Sequence, residues 1–350
     1  MSVFFLLPRL SGWRRPAFPA RIALAMAWMA TAMGVCAEPL IRIGVLPVES
    51  PLEIRNAWTP FAEGLTAAVG TPTRLVAPTS YDAMMQTLRQ GGIDLAVLSG
   101  SMVVDTVAHH GMTVIARALP ADSSRHRTVL VARRGAAPAT LEHMLRQPGR
   151  WKLARGESRS LSGYLIPQSQ LFLPRGLRME AFFTAEVPGG PQTNMLAVAN
   201  GEVDVGITTG TELARFQERF PNEAARITVL WQSEPLPAAL AVVRKGLPDS
   251  LRMRLAAHLA DLGRSPAGRE ALRRRHALAG FELAGDDAIL PHAYLIYRLE
   301  RQSALQGRWT DESARTTRLM RIDEGYAALR ASLAEKQRPA HYVMPSSHAR

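Results

Sequence analysis

A chain of 350 residues has room for one large or two ordinary domains, and a composition 47% hydrophobic and 21% charged excludes a disordered or fibrous polymer. The formal charge is +12, but the arginines of the body are scattered rather than clustered, which argues against nucleic acid and leaves small anions or anionic surfaces as partners.

The first predicted element is a leader. Arg9, Arg14, Arg15 and Arg21 precede an uncharged apolar run, Ile22 to Ala37, and Val35-Cys36-Ala37 stands before Glu38-Pro39. That order is a secretory signal peptide, with cleavage expected after Ala37. The run is 16 residues, short of the roughly 20 that span a bilayer, which argues against a permanent anchor. Val35 is also a poor residue ahead of a lipid-bearing cysteine. Cleavage would remove the only cysteine, leaving no disulfide, thiolate nucleophile or cysteine-bound metal. Loss of the four arginines would lower the charge from +12 to +8.

From Leu40 the pattern is strand, helix, strand. Ile41 to Val45 predicts a buried strand ended by Pro47, and Ile54 to Val69 a helix with Trp58, Phe61 and Leu65 on one face. Strands follow at Thr73 to Val76, Ile93 to Leu98 and Val114 to Ala118, with helices at Tyr81 to Leu88 and about 102–109. A fresh unit begins at Thr128. It has strands at Val129 to Ala132, Trp151 to Ala154, Met179 to Phe183, Val203 to Thr208 and Ile227 to Leu230. Its helices are expected at Leu141 to Leu145, Leu165 to Phe172 with Pro167 in the first turn, Thr193 to Ala199 and Leu213 to Phe220. Ala241 to Val243 is strand-like, and Leu251 to Leu262 and Ala267 to Arg274 read as surface helices.

This alternation predicts an α/β protein with mostly parallel sheets covered by helices. The expected division is a leader at 1–37, a discontinuous first lobe at 38–126 and 235–300, a second lobe at 127–234, and a C-terminal helical extension at 301–350. Within the extension, Glu312 to Lys336 has helical spacing, and His341 to Arg350 is expected to fray. Two chain crossings would join the lobes, near 125–128 and 233–239. Ligands of such sheets sit beyond the carboxyl ends of the strands, which directs attention to the loops at 47–51, 78–82 and 99–102.

The most informative stretch is Gly156-Glu157-Ser158-Arg159-Ser160-Leu161-Ser162-Gly163-Tyr164, between a strand and a helix. Hydroxyls and unpaired first-turn amides make an anion cradle there; the same serines serve equally as helix caps. Ser99-Gly100-Ser101 is a shorter version. His126 sits at a crossing, where it is placed to donate to a ligand or simply to face solvent. His109-His110 is an adjacent pair that a helix does not bring to one face. Asp94 and Asp204 follow glycine turns into strands, positions that favour structural roles. There is no His-x-x-x-His, no Gly-x-Ser-x-Gly and no phosphate loop with lysine. No metal, cofactor or catalytic group is expected.

In this order and spacing the chain resembles the substrate-binding proteins of phosphate, phosphite and phosphonate ABC importers. The resemblance runs from about Ile41 to Tyr294. It rests on Gly44-Val45-Leu46-Pro47, Ser80-Tyr81, Leu88-Arg89-Gln90-Gly91-Gly92-Ile93-Asp94, Ser160-Leu161-Ser162-Gly163-Tyr164 with Pro167, Ala197-Val198-Ala199-Asn200-Gly201-Glu202-Val203-Asp204, and Trp231-Gln232-Ser233. It implies a type 2 periplasmic-binding fold, two α/β lobes on a two-crossing hinge, closing on an oxyanion in the periplasm. By position it implies ligand contacts from Tyr81 and Ser101 in the first lobe and from Ser160, Ser162 and the Gly163 amide in the second.

The sequence departs from the pattern where phosphonate binders commonly carry a histidine–aspartate pair: here Pro191-Gln192 follows Gly190, and His126 replaces a common hinge tyrosine. Gln192, Thr193 and Asn194 would then offer neutral partners, and a ligand amine would lack its acceptor. The expected function is capture of phosphonate, phosphite or phosphate for an ABC permease, without stable membrane insertion after cleavage. Alternatives are a sensory module presenting its ligand to a membrane receptor or kinase, and an exported enzyme on the same scaffold.

Overall fold

The computed structural model describes residues 40–337; the expectations for 1–37 and 341–350 lie outside the described residues. Its strands, in chain order, are β1 (Ile41–Gly44), β2 (Thr73–Val76), β3 (Leu95–Leu98), β4 (Met112–Pro120), β5 (Arg127–Arg133) and β6 (Lys152–Arg155). They continue as β7 (Ala185–Pro188), β8 (Val205–Thr209), β9 (Ile227–Pro235), β10 (Leu240–Arg244) and β11 (Leu278–Leu283). The longer helices are α1 (Pro51–Val69), α2 (Tyr81–Arg89), α3 (Gly100–His109), α4 (Pro191–Asn200) and α5 (Gly210–Arg219). After them come α6 (Asp249–Leu262), α7 (Pro266–His276), α8 (Leu290–Gln306) and α9 (Glu312–Gln337). None is long and apolar enough to cross a membrane.

Two mixed sheets result. The first runs β11-β4-β10-β3-β1-β2 and the second β7-β6-β8-β5-β9, so each anchors one α/β lobe. The mostly parallel arrangement expected from sequence is corrected: β10 is antiparallel to both β3 and β4, and β5 to both β8 and β9. For β5 and β10 the cause is the hinge; β11, also antiparallel to β4, returns from α7 instead. Strands that run toward the cleft pair in parallel, whereas β5 and β10 leave a crossing and run back into their lobes.

Local chemistry explains most boundaries. β3 is a short, mostly buried apolar run, and β1 buries Ile41, Ile43 and Gly44 on either side of Arg42. A reciprocal pair opens α1: Ser50 Oγ accepts from the Glu53 amide at 3.3 Å while the Glu53 carboxylate accepts from the Ser50 amide at 3.3 Å. Gly70, at φ +64°, ends it in the left-handed region that favours glycine. Two further corrections concern the second lobe. Met179–Phe182, expected as a strand, is a helical turn, which places Phe182 5.4 Å and Phe183 5.7 Å from the ring of Phe172 in one core cluster. The helix expected from Leu165 instead begins at Leu161 and runs through residues 161–175 in π, α and 3-10 turns, so Pro167 lies inside it.

Asp94 ties the first sheet together from the start of β3. It is fully buried, and its carboxylate accepts from the Arg42 amide at 2.9 Å and from Arg42 Nε at 2.8 Å, and pairs with Arg244 of β10. Asp204 has a similar role, accepting the Lys152 amide at 2.7 Å. On the outside of the first lobe, His276 packs 4.5 Å from Trp58. Burial, followed by the positive Arg215 and Arg275, pushes its pKa down to about 4. Unfolding releases that ring to take up a proton, so its contribution is complete above pH 6.5 and is lost as pH falls from there toward 4. The urea midpoint of the wild type should therefore drop between pH 7 and pH 5 by more than that of His276→Phe. Equal drops would show that His276 does not set the acid limb.

Candidate functional site

A cavity of about 390 Å³ lies between the two lobes. Pro47 and Val48 after β1, Gly156 and Glu157 after β6, Pro188 at the end of β7 with Gly189 to Pro191 beyond it, and Ile207 and Thr208 at the end of β8 form its walls. All are at or beyond the carboxyl ends of strands, where open α/β sheets place ligands. Tyr81 at the start of α2, Asn194 in the first turns of α4, and Ser160, Ser162 and Gly163 complete it. A larger groove of about 560 Å³ lies where α9 crosses α3 and α8. It stands away from the strand ends and is mainly the seam along which Leu329 and Leu333 of α9 pack against the body.

The 156–163 loop owes its shape to two glycines. The Gly156 amide donates to the Gly163 carbonyl at 3.2 Å, and a Cβ on Gly163 would stand 2.6 Å from the Gly156 Cα. Only hydrogen at both positions lets the loop fold onto itself. Ser160 is nearly buried and its Oγ accepts from the Gly163 amide at 3.1 Å. Ser160 is thus the helix cap, and the Gly163 amide, expected to grip a ligand, is already engaged by it. Ser162 differs. Its carbonyl accepts from Thr128 Oγ1 at 3.0 Å, its own hydroxyl has no protein partner among the described residues, and the residue lines the cavity.

Opposite stands Tyr81. Burial pushes its phenol up and the Glu157 charge adds to that, while a hydrogen bond to Ser160 works the other way. The Tyr81 amide donates to Glu157 Oε2 at 3.1 Å, so a second-lobe carboxylate sits on the amino terminus of a first-lobe helix. Arg159 pairs with Asp82 at 2.7 Å one residue along, and Arg219 with Glu53 at 3.0 Å. A Cβ on Gly190 would come 2.5 Å from the Val48 carbonyl oxygen, so the lobes touch backbone to backbone. The cleft is closed.

Tyr81, Ser160, Ser162 and Gly163 are therefore brought together as the sequence indicated. Ser101, His126, Gln192 and Thr193 do not line this cavity. The cradle at Ser99-Gly100-Ser101 is used internally, since the Gly100 amide donates to Nδ1 of the buried His292 at 3.1 Å. His292 Nε2 lies 2.9 Å from the Ala238 carbonyl in the second crossing. His126 lies in the first crossing, where its carbonyl accepts the Leu236 amide at 2.9 Å. Burial pushes its imidazole pKa down, against the pull of the Pro237 backbone. Gln192 turns away to accept from Arg219 at 3.0 Å, and Thr193 is exposed.

Sequence reasoning missed Glu157 and Thr208. Thr208 is 2% exposed and its Oγ1 has no partner among the described residues. Among the described residues no group of three or more His, Cys, Asp or Glu is placed to hold a metal ion.

Two α/β lobes joined by a two-crossing hinge around an interlobe cavity define a solute-binding protein of the type 2 periplasmic-binding fold. The chain belongs to the family described as "ABC transporter, phosphonate, periplasmic substrate-binding protein", whose pattern matches residues 43–289. It is 24% identical over 286 residues to the phosphonates-binding periplasmic protein of Escherichia coli (strain K12), covering 81% of this chain and 84% of that one. Its fold is similar to that of a binding protein component of an ABC phosphonate transporter from Pseudomonas aeruginosa. That comparison has a TM-score of 0.78 and 23% identity, with 85% of this chain and 99% of the other covered. It is also similar to PhnD1 from Prochlorococcus marinus in complex with methylphosphonate, at a TM-score of 0.64 and 15% identity over 75% and 98% of the two chains.

Proposed function

We propose that this protein captures a small phosphorus oxyanion, a phosphonate, phosphite or phosphate, in the periplasm and delivers it to the permease of an ABC importer. The observation that carries the reading is Ser162, which lines the interlobe cavity and whose hydroxyl has no protein partner among the described residues. Family membership supports the same reading. The lobes bind and release by hinge motion, and binding is without turnover. Residues 1–37 act as the export leader.

The test uses protein recovered from periplasm, whose first residue should be Glu38. Ligand at a hundred times its Kd stabilises a folded protein by about 2.7 kcal/mol, a readily measured rise in melting temperature. Methylphosphonate should raise it for the wild type. A hydrogen bond to a charged group contributes about 1.5–3 kcal/mol, so Ser162→Ala should weaken binding roughly 10- to 100-fold with the ligand-free melting temperature unchanged. Equal stabilisation of both proteins would remove Ser162 from the site.

A further inference from the structure

Among the described residues, Glu157 is the one formally charged side chain lining a cavity that the family uses for anions, and no Lys, Arg or His lines it in compensation. Its Oε2 accepts the Tyr81 amide and so already occupies the amino terminus of α2, where a ligand oxygen would otherwise be welcome. The neighbouring cations are committed elsewhere: Arg155 pairs with Glu186 at 2.8 Å and Arg159 with Asp82 at 2.7 Å. The buried Tyr81 phenol has its pKa raised and stays neutral. The Glu157 carboxylate therefore meets any ligand without a neighbouring cation to offset it, and like charges repel.

A second, independent feature lies on the β8 wall. Thr208 lines the cavity, and its buried Oγ1 has no partner among the described residues. The hydroxyls on either side are used, Thr128 on the Ser162 carbonyl and Thr209 as the cap of α5, accepting the Glu212 amide. A buried hydroxyl left unpaired is costly, and a ligand oxygen is the partner this one lacks. Two hydroxyl residues, Ser162 and Thr208, and one carboxylate residue, Glu157, thus line the same cavity.

We propose that Glu157 sets the specificity of this site. It selects an oxyanion that keeps one proton at neutral pH, a phosphonate or phosphate monoanion, over one that has none, a sulfonate or sulfate. The P–OH donates to Glu157 while a bare oxygen accepts from Thr208. This deepens the phosphorus-oxyanion reading and rests on it.

Calorimetry with methylphosphonate and methanesulfonate tests it. The wild type should bind methylphosphonate at least about 100-fold more tightly, with affinity falling about tenfold per pH unit above the ligand's second pKa, as the monoanion disappears. Glu157→Gln keeps a carbonyl oxygen for the Tyr81 amide but not the charge. It should narrow the preference below tenfold and flatten the pH profile, readouts that a purely structural role would not move. Thr208→Val should weaken methylphosphonate about tenfold and Thr208→Ser restore it. Comparable wild-type binding of both ligands, or an unchanged preference and pH profile in Glu157→Gln, would overturn the proposal alone. Wild-type binding of neither methylphosphonate nor phosphate would overturn the phosphorus-oxyanion reading and this inference with it.

Discussion

Asp94→Ala should lower the stability of the first lobe by about 3 kcal/mol, the order expected when one partner of a buried charge cluster is removed. The carboxylate is the meeting point of three strands: Arg42 on β1 supplies its amide, Nε and Nη2, the last at 3.1 Å, and Arg244 closes the cluster from β10. Alanine leaves the Arg42 amide without its carboxylate acceptor and two guanidinium groups without a counter-charge. Both arginines keep some contact with water, which holds the cost near the lower end of the range for buried pairs. Burial opposes the ionised carboxylate, but the hydrogen bonds from Arg42 and the charge of Arg244 outweigh it and hold its pKa below the ordinary value. A carboxylate lowered in this way stabilises the fold above its unfolded pKa, and that contribution is lost as pH falls through the folded value. Urea unfolding should therefore show the deficit of Asp94→Ala at pH 7 and a smaller one in acid. A deficit equal at both would mean that packing, rather than charge, is what Asp94 provides.

Gly163→Ala should abolish ligand binding, a loss of at least about 100-fold, while the two sheets still form. The added methyl would lie 2.6 Å from the Gly156 Cα and 2.8 Å from its amide nitrogen. Both obstacles are backbone, so no rotamer relieves the clash and the loop must open. Opening breaks the Gly156–Gly163 hydrogen bond, removes the Ser160 cap and carries Ser162 out of the cavity. Overpacking of this kind costs about 1–3 kcal/mol, less than a whole domain's stability. Circular dichroism of the variant should thus remain native, with a lower melting temperature that methylphosphonate no longer raises. Wild-type affinity in Gly163→Ala would show that the loop's shape does not matter to the ligand.

Elements with strong one-dimensional signals were legible in the sequence. The apolar runs of β1, β3 and β8, the spacing in α1 and the glycine-bounded 156–163 loop placed both lobes and half of the cavity. Features that depend on contacts between distant segments were not. Glu157 looks like any loop glutamate until the fold brings it 3.1 Å from the Tyr81 amide, 76 residues away in sequence. Thr208 reads as an ordinary strand residue until the hydrogen bonds around it are assigned and its hydroxyl is left over. The direction of β10 depends on its emergence from a crossing, which no local pattern records. Met179 to Phe183 is nearly continuous in apolar residues, a pattern that strand and buried helix share; packing against Phe172 decides it. The prominent serine motif fared between these extremes: its position was evident, but only the hydrogen bonds separate Ser160, a cap, from Ser162, a cavity-lining residue whose hydroxyl has no protein partner among the described residues.

The central claim, that the closed cleft holds a phosphorus oxyanion, is met most directly by calorimetric titration of the chain from Glu38 onward, unfolded and refolded beforehand to strip carried-over ligand. Titrants would be methylphosphonate, phosphite, phosphate and 2-aminoethylphosphonate. Micromolar or tighter binding of at least one, at one site per chain, is the expected result. No heat from any of them, with protein shown to be folded, would contradict the account and leave a two-lobed binder of another ligand, with Pro191 and Gln192 the first positions to examine.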